Sequence, residues 1–126
     1  MGHLRAAVAT AEEGSLTFAN FVEFDSVYGH RRNVAGYARA LEWFDGEVPA
    51  LIDGLRLGDL MIFTADHGND PTWHGTEHTR ERVPVVGLVK GGPTRGDAGQ
   101  IAFADVAASV ASHLGVPAQG PGRAFL

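Results

Sequence analysis

The stretch Gly58-Asp-Leu-Met-Ile-Phe-Thr-Ala-Asp66-His67-Gly-Asn-Asp70 sets the reading of the whole chain. Residues 59–65 are a short apolar run behind a glycine turn, which predicts a buried strand. At Asp66 the character changes, and residues 66–82 read as one long polar loop. Residues 83–89 (VPVVGLV) form a second apolar run and predict a further strand. Working backwards, residues 34–55 place Val34, Tyr37, Ala38, Leu41, Phe44, Val48, Leu51, Ile52 and Leu55 at steps of three and four, one stripe of a helix. Asn33 suits its N-cap. Gly46 and Pro49 fall inside the pattern and predict a kink or a break near Asp45.

The remaining segments extend the alternation. Residues 15–24 (SLTFANFVEF) carry five large apolar side chains and predict a strand, while residues 25–33 are polar and read as a loop. Residues 1–13 predict a short helix stopped by Gly14. Residues 91–99 are rich in turn formers. Residues 103–114 predict a last helix stopped by Gly115 and Pro117. Strand, helix and strand in succession imply a single α/β domain over residues 1–126, with a largely parallel sheet flanked by helices. Functional loops then belong at the carboxyl ends of the strands.

Composition narrows the function. The chain has 126 residues, 44% of them hydrophobic and 20% charged, which fits one globular domain and excludes a disordered chain or a coiled coil. No run approaches the roughly 18 apolar residues that span a bilayer, so a membrane partner is not expected. A net charge of −5 leaves no broad basic face for nucleic acid. The absence of cysteine excludes disulfides, thiolate metal sites and cysteine nucleophiles, and fits a cytoplasmic location. The segment before Gly14 has no secretory signal pattern.

Four of the six histidines, His30, His67, His74 and His78, lie between Asp25 and Arg80. Three loops stand out: Asp25 to His30, Asp66 to Asp70, and Thr76 to Arg80. Each holds an imidazole and two open with a carboxylate, a donor set suited to Mn²⁺ or Zn²⁺. Taken singly, each such residue reads more readily as a turn former or a solvated ring; the constellation is what points to a metal.

In combination the segments VEFDSVYGHRRNVAGY (22–37), GDLMIFTADHGNDPTW (58–73) and TEHTRERVPV (76–85) closely resemble the carboxyl-terminal part of phosphopentomutases, members of the alkaline-phosphatase-like metalloenzymes. Cofactor-independent phosphoglycerate mutases share the TADHGN segment but set the first histidine one residue nearer its aspartate than His30 stands from Asp25. Glu23, Asn33 and Glu77 depart conservatively from the family pattern. The resemblance implies a partial alkaline-phosphatase-like core without a cap domain. It implies two divalent ions, manganese before zinc: Asp25, His30 and His78 on one, and Asp66 and His67 on the other.

Arg31, Arg32 and Arg80 stand beside these positions and suit either phosphate charge or carboxylates around the ligands; Asn69 and Asp70 suit orienting His67 or shaping the turn, and Thr79 suits orienting His78. The resemblance implies interconversion of (deoxy)ribose 1-phosphate and 5-phosphate by phosphoryl transfer. Family members are much longer, and their amino-terminal part supplies the phosphoryl-carrying threonine and a further aspartate. Neither is recognisable here, so one metal site reads as complete and no catalytic residue is identified. A metal-binding fragment needing a separate amino-terminal half, a metal-dependent phosphoesterase, and a phosphoglycerate mutase relative are the alternatives.

Overall fold

A computed structural model describes residues 1–93 and 96–126; part of the turn-rich stretch 91–99 therefore lies outside the described residues. Three α-helices form: α1 (Gly2–Thr10), α2 (Val34–Asp53) and α3 (Phe103–His113). Two strands accompany them, β1 (Leu60–Thr64) and β2 (Val85–Val89), and a π-helix covers Phe24–Gly29. These agree with the sequence expectation for all three helices, for both strands flanking the polar loop, and for the loop itself.

Three expectations are corrected. The two strands pair antiparallel, with Leu60 opposite Val89 and Thr64 opposite Val85, so the sheet of the described residues is a hairpin and not a largely parallel sheet. The reason lies in the connection. A parallel return needs a crossover, usually a helix, and the segment between β1 and β2 holds only turns and an isolated bridge from Gly68 to Thr79. Second, residues 15–24 do not form a strand. They run without a ladder partner among the described residues, leaving Phe18 at 86% exposure, and an apolar run with nothing to pair with is not a strand. Third, α2 runs unbroken through Gly46 and Pro49.

Helix α2 starts where Asn33 accepts the Gly36 N–H at 2.9 Å. At its other end the Lys90 ammonium donates to the Ile52 carbonyl at 2.9 Å, a cation on the negative end of the helix. Phe44 joins three parts of the molecule. Its ring meets Phe21 at 5.2 Å, Phe24 at 6.0 Å and Phe63 of β1 at 5.9 Å, all edge-on, within the range where aromatic pairs attract. The α2 stripe is thus packing surface, as its periodicity implies, with Leu51 fully enclosed.

At the C-terminus, Asp105 accepts from the N–H groups of Ala102 and Arg123, and Ser109 Oγ accepts from Phe125 N. These bonds tie the final strand of chain to α3. Gly115, at positive φ, follows the Leu114 cap and closes α3 as expected, whereas α1 ends at Thr10 with Ala11 as its cap, short of the expected stop at Gly14.

Candidate metal centre

The expectation of a plain loop over residues 25–33 is also corrected: the π-helix Phe24–Gly29 occupies its first part and a turn follows. The His30 N–H reaches back five residues to the Asp25 carbonyl at 3.0 Å, and the Asn33 N–H does the same to Tyr28. This π geometry, frequent at functional sites, turns Asp25 and His30 toward the loop that leaves β1. Gly29 is buried against that loop, where any side chain would collide with Asn69. Arg32 follows at φ 52°, the one non-glycine among the described residues in the left-handed region, which costs about 1–2 kcal/mol.

The opposing loop is a continuation of the hairpin. Thr79 N donates to the Gly68 carbonyl at 3.0 Å, so the two arms carrying His67 and His78 lie side by side. Their rings stack at 3.8 Å, and His30 lies 4.7 Å from His78.

Asp25 sits among these rings. Its Oδ1 is 3.3 Å from His78 Nε2, and its Oδ2 is 3.4 Å from His30 Nε2. Asp25, His67 and His78 each offer a donor atom within 4.8 Å of the others. Contacts of 3.3–3.4 Å are long for N–H···O bonds. They match the separation of about 3.3–3.4 Å between two donors that each sit 2.0–2.1 Å from one tetrahedral ion. The donor set therefore fits a divalent cation.

The His30 imidazole is also turned correctly. Its Nδ1 lies 2.5 Å from the Thr76 carbonyl. A carbonyl only accepts, so this contact favours an N–H at Nδ1 and leaves Nε2 to face an ion, the arrangement usual for metal-binding histidines.

The Asp25 carboxyl feels opposing influences. Burial pushes its pKa up. The amide of Asn69, donating to Oδ1 at 2.6 Å, and the neighbouring rings of His30, His78 and His67 outweigh that and hold the pKa below the usual aspartate value. Tyr37 nearby is raised, by burial and then by the Asp25 charge.

Of the residues singled out from sequence, Asp25, His30, His67 and His78 converge. The structure groups His67 with Asp25 and His78, whereas the resemblance divides them between two ions. Asp66 stands at the edge, its side chain 82% exposed, with Oδ2 3.5 Å from His67 Nε2. Arg32 reaches into the loop and is occupied there. It donates to the carbonyls of Gly29, Asp70, Gly75 and Glu77 and to Asn69 Oδ1.

Thr79 Oγ1 accepts from Asp70 N at 2.6 Å and donates to Glu81 at 2.5 Å, so it braces the loop rather than His78. Arg31 and Arg80 enter no ion pair or side-chain hydrogen bond among the described residues. Arg80 instead lines an open cleft of about 450 Å³ with Trp73, His78, Thr79 and Glu81. Glu81, Trp73 and the Thr76 carbonyl escape sequence reading; no spacing or residue type marks them. His74 packs at a tilt against Trp73, ring centroids 4.6 Å apart.

Comparison with known proteins adds an independent line. The metalloenzyme superfamily model matches residues 1–118. A phosphopentomutase of Rhizobium johnstonii is 53% identical over 121 residues, 96% of this chain and 30% of that protein. One from Chelativorans is 55% identical over 121 residues, 95% of this chain and 29% of that protein. One from Methylorubrum extorquens is 52% identical over 119 residues, 94% of this chain and 29% of that protein. The chain thus spans about 30% of the length of the curated relatives it matches. With the family pattern extending over nearly the whole sequence and a set of carboxylates and imidazoles gathered to suit a divalent cation, this chain belongs to the metalloenzyme superfamily.

Proposed function

We propose that this chain carries the metal-binding portion of a phosphopentomutase-type centre, which interconverts (deoxy)ribose 1-phosphate and 5-phosphate. The convergence of Asp25 with His30, His67 and His78 from segments far apart in sequence carries this reading. The names of the relatives supply the reaction. Asp25, His30 and His78 would hold one divalent ion, with manganese favoured over zinc, and Asp66 with His67 a second. Such ions, when bound, supply Lewis-acid stabilisation of negative charge on a transferring phosphoryl group.

The side chains of this portion do the preparatory work. Asp25 stays ionised because Asn69 and the imidazoles favour its charged form. The Thr76 carbonyl takes the Nδ1 proton of His30, which favours the tautomer that leaves its Nε2 for an ion. Arg80, facing the cleft beside His78, is placed to pair with phosphate oxygens.

Two hydroxyls near the cluster are already engaged within the chain. That of Thr79 is held between Asp70 and Glu81, and that of Thr64 donates to the Ala65 carbonyl. In this reading, as the family resemblance implies, the phosphoryl-carrying threonine belongs to a separate amino-terminal portion, consistent with the chain spanning about 30% of its relatives' length.

Two measurements test the proposal. Chain dialysed against Mn²⁺ and analysed by mass spectrometry is expected to retain about one ion, and Asp25→Ala and His78→Ala to lose it. Equal metal in all three would refute the site. Ribose 1-phosphate incubated with the chain alone is expected to stay unconverted; turnover would place the nucleophile within these residues.

A further inference from the structure

Asn69 is only 8% exposed and lies between two groups of opposite demand. On one side is the Arg32 guanidinium, which can only donate. On the other is the Asp25 carboxylate, which when ionised can only accept. A side-chain amide satisfies both in one orientation. Arg32 Nη1 donates to Asn69 Oδ1 at 2.6 Å, and Asn69 Nδ2 donates to Asp25 Oδ1 at 2.6 Å. The reversed amide would set NH₂ against guanidinium and oxygen against carboxylate.

Arg32 is itself immobilised. Beyond Asn69 its fork meets the carbonyls of Gly29, Asp70, Gly75 and Glu77, which come from both sides of the site. A lysine there would keep the charge but lack the planar fork that spans these acceptors.

We infer that Arg32 and Asn69 are positioning residues that act in series: Arg32 fixes the orientation of the Asn69 amide, and the amide fixes the rotation of the Asp25 carboxylate toward the imidazoles. This rests on reading Asp25 as a metal ligand, and it gives Arg32 a task other than phosphate binding. A side chain that orients a ligand in this way usually affects metal affinity about 10–100-fold when lost.

The experiment uses wild type, Arg32→Lys, Asn69→Leu and the double variant, each checked for folding by circular dichroism. Mn²⁺ affinity is measured by isothermal titration calorimetry. Each single variant is expected to weaken binding about 10–100-fold, and the double variant to bind no more weakly than Asn69→Leu alone, because the two residues share one path. Multiplying losses would overturn the series and leave Arg32 a general brace for the loop. Unchanged affinity in Asn69→Leu would overturn it outright.

A second readout needs no metal. In ¹H–¹⁵N spectra of metal-free wild type, the Asn69 side-chain amide is expected to be shifted and slow to exchange, and Arg32→Lys to move it back towards the free-amide position. A free, fast-exchanging amide in wild type would overturn the inference. Should wild type bind no Mn²⁺, the metal reading falls, while the amide resonances still decide whether Arg32 orients Asn69.

Discussion

Gly29→Ala should damage this protein far more than its one added methyl suggests. Gly29 ends the π-helix and faces the site loop. A Cβ there would lie 2.5 Å from Asn69 Nδ2, 2.6 Å from Asn69 Cγ and 3.0 Å from the Phe24 carbonyl. Ordinary contact begins at 3.4 Å, so the amide must retreat by roughly 0.9 Å. Its 2.6 Å bond to Asp25 then stretches to the edge of hydrogen-bonding distance. Overpacking costs about 1–3 kcal/mol, and a weakened bond to a charged acceptor up to about 1.5–3 kcal/mol. Replacing glycine offsets about 0.4–1 kcal/mol through the unfolded chain. A net loss of about 3 kcal/mol follows, or about 10 °C in melting temperature for a domain of this size.

The control is Gly46→Ala within α2, where a Cβ meets nothing within 4 Å and helix propensity predicts a gain of about 0.5–1 kcal/mol. Thermal melts of the two variants beside wild type decide the matter. If both melt at or above wild type, the close approach of Gly29 to Asn69 is not a feature of the folded protein.

Two further outcomes are expected. Leu51, at 1% exposure the largest fully buried apolar side chain among the described residues, should cost about 2–5 kcal/mol on truncation to alanine; a urea midpoint shift equivalent to less than 1 kcal/mol would refute its enclosure. Asp105 has its pKa held below the usual aspartate value, first by the Arg123 N–H and then by the Ala102 N–H. A group depressed in this way stabilises the fold above its unfolded pKa, and the contribution fades as pH falls through the folded one. The stability margin of wild type over Asp105→Asn should therefore shrink below about pH 4, and a margin constant with pH in acid melts would contradict the capping role.

Local pattern and metal chemistry were legible in the residues; partners and strand direction were not. The α2 stripe, the Asn33 cap and the Gly115 stop are short-range signals, and the structure follows them. The donors were legible because carboxylate and imidazole clustered in the polar loops have a restricted chemistry, and Asp25, His30, His67 and His78 do meet.

Residues 15–24 misled because apolarity marks a segment that would be buried against something, without saying that the something is in the same chain. The sheet direction misled because strand, helix and strand favours a crossover, whereas the connection after β1 turns back on itself through the Gly68–Thr79 bridge. Arg32 was visible as an arginine near ligands, but four of its five acceptors are main-chain carbonyls, which carry no signature in sequence.

The centre also bears on how the molecule holds together. Only Leu51, Ala108, Asn69 and Ser109 are buried among the described non-glycine residues, and two of these are polar. The accessible surface is 8801 Å², against about 6,500 Å² for a compact monomer of this mass. With so little apolar burial, the bonds from Arg32, Asn69 and His30 to the 66–79 loop form a large share of what joins the π-helix to the hairpin. The contacts that aim the donors and the contacts that hold the two segments together are therefore the same ones. Bringing three imidazoles around one carboxylate in a chain with a small core demands a rigid polar frame, and an ion that binds only the folded arrangement adds its binding free energy to that frame. On the proposed reading of Asp25 as a metal ligand, stability and metal affinity are therefore linked through Asn69, the buried residue that bonds both Asp25 and Arg32.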